Sequence, residues 1–386
     1  MPANYKKYYL FVLLLYVMAE CKKPYTPPAI VTPNNYLVVD GVIDTSPNGT
    51  TIINLNRTRN LGDTTITGIP ELGAQITITG NDGSSYPLSD AAGIGIYSSA
   101  VLNLNPNGQY KLGISTSDGR KYASDFVTSK PTPPIDSIHY DQPNDFTVYL
   151  TSHDPANATH FYRWDYLETW EHDSRFRTPW ELRHGQVWAK DPDSGSQQVD
   201  RCWTTRLSTG ILLGNTTALS QDLVDRMPII TIINNDLRLD IAYSILVRQY
   251  ALTEAAYNYW QLIQKTSQQL GSLFDLQPTQ LIGNISCTSN PDEPVIGFVS
   301  ASSIQQKRLT VINSDLNNWP HYVYFEGCPT DFAGRTSADD YHTWSYTDTA
   351  FAPYYYISNG PLVVAPKRCL DCLRQGGVNV QPPFMP

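Results

Sequence analysis

Short runs in which apolar and polar residues alternate at period two, each closed by a turn signal, constrain this chain most. Ala74-Gln75-Ile76-Thr77-Ile78-Thr79 and Gly108-Gln109-Tyr110-Lys111-Leu112-Gly113-Ile114 alternate in this way, and Tyr36 to Ile43 and Thr51 to Leu55 are apolar runs of strand length. Side chains two apart share one face of a strand, so such a run buries one face and wets the other. Asn81-Asp82-Gly83 and Ser117-Asp118-Gly119-Arg120 place Asp-Gly at hairpin positions, where glycine accepts the positive φ of the turn. The 24 Gly and 28 Pro punctuate the chain, and 25 Tyr and 8 Trp favour strands, so the fold class is mainly β. At 386 residues the chain is too long for one core.

Two β-sandwich-like domains are expected. Strands and turns over residues 36–131 predict an immunoglobulin-like β-sandwich. Pro131-Thr132-Pro133-Pro134 then marks a boundary, because proline cannot donate to a sheet ladder. Residues 132–386 read as a larger β-rich domain, with strands around Ser137–Tyr140, Phe146–Leu150, His160–Tyr166, Ile229–Ile233, Ala242–Tyr250, Val295–Val299 and Arg308–Ile312. An inserted α-helix is expected over about 254–270: Thr253 is a good N-cap, Glu254 suits the first turn, and Gly271 stops it. Its stripe of Ala256, Tyr259, Trp260 and Ile263 predicts packing on a sheet, with an aromatic cofactor box as the alternative.

The amino end reads as a secretion signal. Lys6 and Lys7 precede the apolar run Tyr8 to Ala19, which has the length of a signal-peptide h-region and falls short of the about 20 apolar residues of a spanning helix. Cleavage is expected after residue 20. Cys21 follows the run at once and resembles the acylated first residue of bacterial lipoproteins, although Glu20 stands where such boxes carry Gly, Ala or Ser. Several acyl chains, at about 0.8 kcal/mol per buried methylene, would hold a domain on a membrane without another anchor. Residues 21–35 are proline-rich and predict a stiff, extended tether.

A net charge of −9 and the lack of a Lys or Arg block exclude nucleic acid as an expected partner. The chain carries no Gly-x-Ser-x-Gly elbow, His-Glu-x-x-His pair, phosphate-cradling Gly-Lys-Ser/Thr loop or Gly-x-Gly-x-x-Gly turn, and no cofactor is implied. The best enzymatic candidate is the group Asp165, Glu168, Glu171 and Asp173 beside Trp164, Trp170 and Trp180, since a glycosidase needs two carboxylates about 5–10 Å apart. On a strand Asp165 and Glu171 share a face and Glu168 points to the other, so the spacing selects no pair. A solvated edge partnered by Arg163 or Arg175 is the alternative. Asp191, Asp193 and Asp200 form a weak calcium candidate, without the glycine and glutamate of a full loop. Trp164, Trp170, Trp180, Tyr354, Tyr355 and Tyr356 offer flat apolar faces for a glycan or peptide ligand.

With Cys21 acylated, Cys202, Cys287, Cys328, Cys369 and Cys372 remain, which in an oxidising compartment predicts two disulfides and one spare thiol. Their connectivity stays open. Cys369-x-x-Cys372 could also be a redox pair, but it lacks a following helix to stabilise a thiolate.

Several strings taken together resemble a known family. They are Tyr162-Arg163-Trp164 with Glu168-Thr169-Trp170; Tyr243 to Tyr250 running into Ala255 to Trp260; Gly271 to Asp275 with Gln277-Pro278; Gly283-Asn284-Ile285; Gly297-Phe298; and Cys369 to Cys372 with Gly376-Gly377. In this order they resemble the Bacteroidota lipoproteins catalogued as domain of unknown function 4249. The resemblance implies a lipid-anchored outer-membrane protein, often encoded near TonB-dependent transporters, with no established activity. Two functions follow as expectations: a non-catalytic binding or accessory module for such a transporter in nutrient uptake, or a secreted carboxylate-dependent hydrolase. Which membrane face the domains occupy is left open.

Overall fold

A computed structural model describes residues 35–59, 68–183, 186–190, 199–268, 283–320, 328, 351–356 and 362–386. The signal segment 1–20, Cys21 and residues 22–34 of the tether lie outside the described residues. In chain order the strands are β1 (Leu37–Asp44), β2 (Ile52–Arg57), β3 (Ile69–Pro70), β4 (Gln75–Gly80), β5 (Ser85–Ser89), β6 (Ile96–Ser99), β7 (Gln109–Ser115), β8 (Lys121–Ser124), β9 (Val127–Thr128), β10 (Ile135–Asp141), β11 (Phe146–His153) and β12 (Phe161–Asp173). They continue as β13 (Trp180–Arg183), β14 (Gln186–Ala189), β15 (Arg201–Leu207), β16 (Leu212–Asn215), β17 (Leu223–Ile232), β18 (Ala242–Ala251), β19 (Ile285–Cys287), β20 (Val295–Gly297), β21 (Ser300–Ser302), β22 (Ile304–Ile312), β23 (Phe351–Tyr356) and β24 (Leu362–Pro366). The chain is mainly β, as its alternation requires.

The first sheet follows the order β19-β8-β7-β4-β5-β6-β2-β1-β20 and is nearly closed, with β21 beside β1, β3 beside β2 and β9 beside β7. Its interior is filled by the inward set of each period-two run, among them Leu37, Val39, Ile53, Leu55, Ile76, Ile78, Leu112 and Ile114. Both Asp-Gly turns fall where the sequence puts them: Gly83 (φ 84°) joins β4 to β5, and Gly119 (φ 88°) joins β7 to β8.

The boundary expected at residue 131 needs correction. The chain leaves the first sheet there, but β19, β20 and β21, from beyond that boundary, return to it. β19 pairs with β8, and β20 and β21 lie parallel to β1. Parallel neighbours so far apart leave no local pattern to read; Ser46 Oγ, for example, accepts from the Ile304 N–H across 258 residues.

The second half builds a sandwich. The sheet β10-β11-β17 shares a core with the sheet β15-β12-β18-β22, to which β16 adds at β12. Phe146, Val148 and Leu150 of one sheet meet Trp164, Tyr243, Ile245 and Val247 of the other. Helix α1 (Glu254–Gln268) covers the opposite face of β12 and β18, with Ala256 and Tyr257 packed against Tyr250 and Leu252. Thr253 caps it, its Oγ1 accepting from the Ala256 N–H at 3.2 Å.

Two disulfides staple the C-terminal segment. Cys202 of β15 bonds Cys372, and Cys328 bonds Cys369 in the short helix α2 (Lys367–Leu370). Cys369 and Cys372 are thus joined to different partners, which removes the redox-pair reading, and Cys287 stays free and buried. The first bridge spans 170 residues, a loop for which the chain-entropy model gives about 5 kcal/mol. Alkylation of denatured, unreduced protein should therefore label Cys287 and spare Cys202, Cys328, Cys369 and Cys372, read by peptide mass mapping. Label on any of those four would refute the connectivity.

Candidate functional site

The acidic group on β12 forms no catalytic pair. Glu168 is 2% exposed and serves as a structural anchor. Its Oε1 accepts from Arg206 Nε at 2.9 Å and Nη2 at 2.6 Å, and its Oε2 accepts from Arg238 Nη1 at 3.0 Å and the Tyr243 hydroxyl at 3.3 Å. Burial, with Glu168 beside it, holds the Tyr243 hydroxyl well above its ordinary pKa, so it remains a neutral donor. Glu171, also buried, meets Arg201 Nε at 3.1 Å, and burial raises its pKa. Asp173 pairs with Arg177 and lies 3.6 Å from Arg201 Nε. On the face away from Glu168, Asp165 accepts from Arg248 Nε and, at 2.9 Å, from the Tyr250 hydroxyl. The solvated edge does not hold: Glu168 and Glu171 are enclosed, and their arginines come from β15 and the segment before β18 rather than from Arg163 or Arg175.

The aromatic candidates separate in space. Trp164 is 1% exposed, with its ring stacked beside Tyr162 and its indole N–H on Gln249, and it lines the cleft described below from within the core. Trp170 is half-buried beside the Arg206 guanidinium, 5.5 Å from its ring centroid. Trp180 and Tyr354 are also half-buried. Phe176 packs 5.2 Å from Tyr354, and Thr178 Oγ1 donates to the Tyr354 carbonyl at 2.9 Å, which joins the segment leading into the β13–β14 hairpin to the β23–β24 hairpin. The side chains of Tyr355 and Tyr356, and the calcium candidates Asp191 and Asp193, lie outside the described residues. Asp200 pairs with Arg177 at 3.4 Å. Among the described residues no group of three or more His, Cys, Asp or Glu could hold a metal ion.

A cleft of about 380 Å³ opens where the first sheet, β12 and α1 meet, within the size range of small-molecule sites. Val38, Val39 and Asp40 of β1 line it beside Ile296, Gly297 and Phe298; α1 supplies Tyr259, Trp260 and Ile263. β12 supplies Arg163 and Asp165, and the segment 207–211 closes one side. Local sequence explains each contribution. The helical stripe that buries Ala256 and Tyr259 leaves Trp260 and Ile263 half-exposed at its margin, and Phe298 packs 5.4 Å from the Tyr259 ring. Gly297 is demanded by backbone approach, since a Cβ there would lie 2.3 Å from the Val39 carbonyl oxygen.

Arg163 is the polar centre of the cleft. Its guanidinium stacks between two rings, 4.2 Å from the Trp260 centroid and 5.0 Å from that of Tyr250. Asp165 Oδ2 is 3.8 Å from its Nη2, beyond hydrogen-bonding distance, because that carboxylate is already engaged by Arg248 and Tyr250. Burial and then Asp165 raise the Tyr250 pKa, while burial pushes the Tyr259 hydroxyl up to about 12, so both stay neutral at ordinary pH. Asp40 is exposed and makes only a 3.5 Å contact with Asn54 Nδ2. The arrangement can bind and orient a ligand; it pairs no nucleophile with a base.

Sequence reasoning passed over Arg163, Asp40 and Phe298 as ligand residues, and reached Trp260 only through the aromatic cofactor box weighed as an alternative for the helix. The available signal was the helical stripe, whose Trp260 and Ile263 sit at its edge.

Fold and cleft define a mainly β protein with an aromatic cleft where the first sheet, β12 and α1 meet. The family model described as "Domain of unknown function (DUF4249)" matches residues 22–308, and the chain belongs to that family. A solved DUF4785 family protein from Legionella pneumophila is similar at 10% identity, with 55% of this chain and 52% of that chain covered and a TM-score of 0.19; the chain thus spans about half the length of that structure. No curated protein matches the sequence. Among the described residues no helix is long and apolar enough to cross a membrane.

Glu168→Gln should destabilise the fold by about 2–3 kcal/mol, less than the roughly 3–5 kcal/mol of a fully enclosed pair because Arg206 reaches solvent. The urea midpoint measures it, and an unchanged midpoint would show the anchor to be inert.

Proposed function

We propose that this protein is a non-catalytic binding module, held at the outer membrane by an acylated Cys21 and serving a TonB-dependent transporter in nutrient uptake. The observation that carries the reading is the cleft around Arg163, which is walled by aromatic and aliphatic side chains and centred on a guanidinium. The acidic group that would serve a hydrolase supports binding over catalysis, since Asp165, Glu168, Glu171 and Asp173 each face a guanidinium. A proline-rich segment between Cys21 and β1 suits a tether that presents the cleft away from the bilayer.

Cys21→Ser should abolish labelling by radioactive palmitate and release the protein from the membrane fraction. Affinity purification of the acylated protein from gently solubilised membranes should co-isolate a β-barrel transporter. Retention of Cys21→Ser in membranes would overturn the anchor, and purification without any barrel at native expression would overturn the partnership.

A further inference from the structure

The Arg163 side chain is 12% exposed, and among the described residues it donates no hydrogen bond. Arg163 lines the cleft, so its unpaired N–H groups are open to an acceptor that enters there. Here Trp260 and Tyr250 stack beside the guanidinium and hold the side chain in place, while the in-plane N–H groups are left without acceptors. A stacked, immobile guanidinium is a preorganised fork for a planar anion and binds carboxylate bidentately. The surrounding charge limits how negative that anion can be. Asp40 and Asp165 line the same cleft; Arg248 pairs with Asp165, while among the described residues Asp40 makes no ion pair of its own and feels Arg248 only at longer range. A dianion such as a phosphate monoester would be repelled by Asp40, whereas a single carboxylate is balanced by Arg163. The remaining wall, formed by Trp260, Ile263, Ile296 and Phe298, is apolar and suits a hydrocarbon or aromatic body.

We propose that the cleft binds a small monocarboxylate carried on an apolar or aromatic body, with its carboxylate on the Arg163 fork and its body against Trp260 and Phe298. This rests on the reading of the cleft as a ligand site and adds the chemical class of the ligand. It does not depend on the transporter.

The test is calorimetric titration of the full chain in mild detergent with 3-phenylpropanoate, its neutral isostere 3-phenylpropanamide, phenyl phosphate and maltohexaose. The acid should bind, with the amide about 10- to 100-fold weaker, the loss expected of charge-assisted hydrogen bonds. Phenyl phosphate should bind more weakly than the acid. Arg163→Lys, which keeps the charge and loses the fork, should weaken the acid about tenfold and leave the amide unchanged. Asp40→Asn, at an exposed position that tolerates the change, should narrow the gap between phosphate and acid. Equal affinity for acid and amide, preference for the oligosaccharide, or no heat from the acid at millimolar concentration overturns the proposal. The acid and amide comparison needs no variant, so a misfolded Arg163→Lys protein does not rescue it. Recovery of a transporter alongside a cleft indifferent to carboxylate would leave the accessory role standing and sink only the ligand class.

Discussion

The junction depends on one buried amide. Gln249 is fully enclosed, and both ends of its side chain are satisfied: Oε1 accepts from Trp164 Nε1 at 2.8 Å, and Nε2 donates to Ser152 Oγ at 2.9 Å and to the Pro133 carbonyl at 2.8 Å. It ties β18 at once to β12, to the facing sheet through β11, and to the linker that enters the second body. An unsatisfied amide in that position would cost about 1–3 kcal/mol per group, so the arrangement specifies one register. In that register Trp164 sits opposite Gln249, which puts Arg163 opposite Tyr250 and Asp165 opposite Arg248. Alternation then sends those four side chains to the cleft face. A slip of one residue would turn Arg163 into the core and Trp164 out of it.

The other wall depends on the returning segment. Gly283 and Gly297 cross so closely that a Cβ on Gly283 would lie 1.7 Å from the Gly297 carbonyl oxygen, and Asn284 replaces a strand partner by donating to the Val299 carbonyl and accepting from its N–H, both at 2.8 Å. These contacts seat β20 against β1 and deliver Phe298 to Tyr259. Gly283-Asn284-Ile285 and Gly297-Phe298 are two of the strings by which the chain resembles its family, and their chemistry here is that of closing the first sheet.

Local structure was legible in the sequence because its causes are local. Period-two alternation places Ile76 and Ile78 inward, Asp-Gly marks two hairpins, and Thr253 starts the helix. The count of cysteines forecasts two bridges and a spare thiol, while which thiol is spare depends on where β19 docks. The site was less legible for the same reason. Its lining comes from five separated segments, and the arginines that neutralise Glu168 and Asp165 lie on strands the acidic run does not predict. Trp164 shows what aromatic content read without face leaves out: its alternation with Tyr162 puts its ring on the inward side.

The acidic strand and the cleft also show two uses of arginine set by what stands next to each. Arg206, Arg238 and Arg248 each donate directly to a carboxylate and act as struts. Arg163 meets rings beside its guanidinium, and its nearest carboxylate is held at 3.8 Å by the claims of Arg248 and Tyr250 upon it. Stacking restrains a guanidinium as firmly as pairing does but consumes no donor. Because Tyr250 both stacks on Arg163 and donates to Asp165, it performs the separation: the hydroxyl draws the carboxylate away while the ring steadies the cation. The chemistry open to the cleft therefore follows from the neighbours of Arg163 rather than from the chain's net charge of −9, which would by itself disfavour an anion.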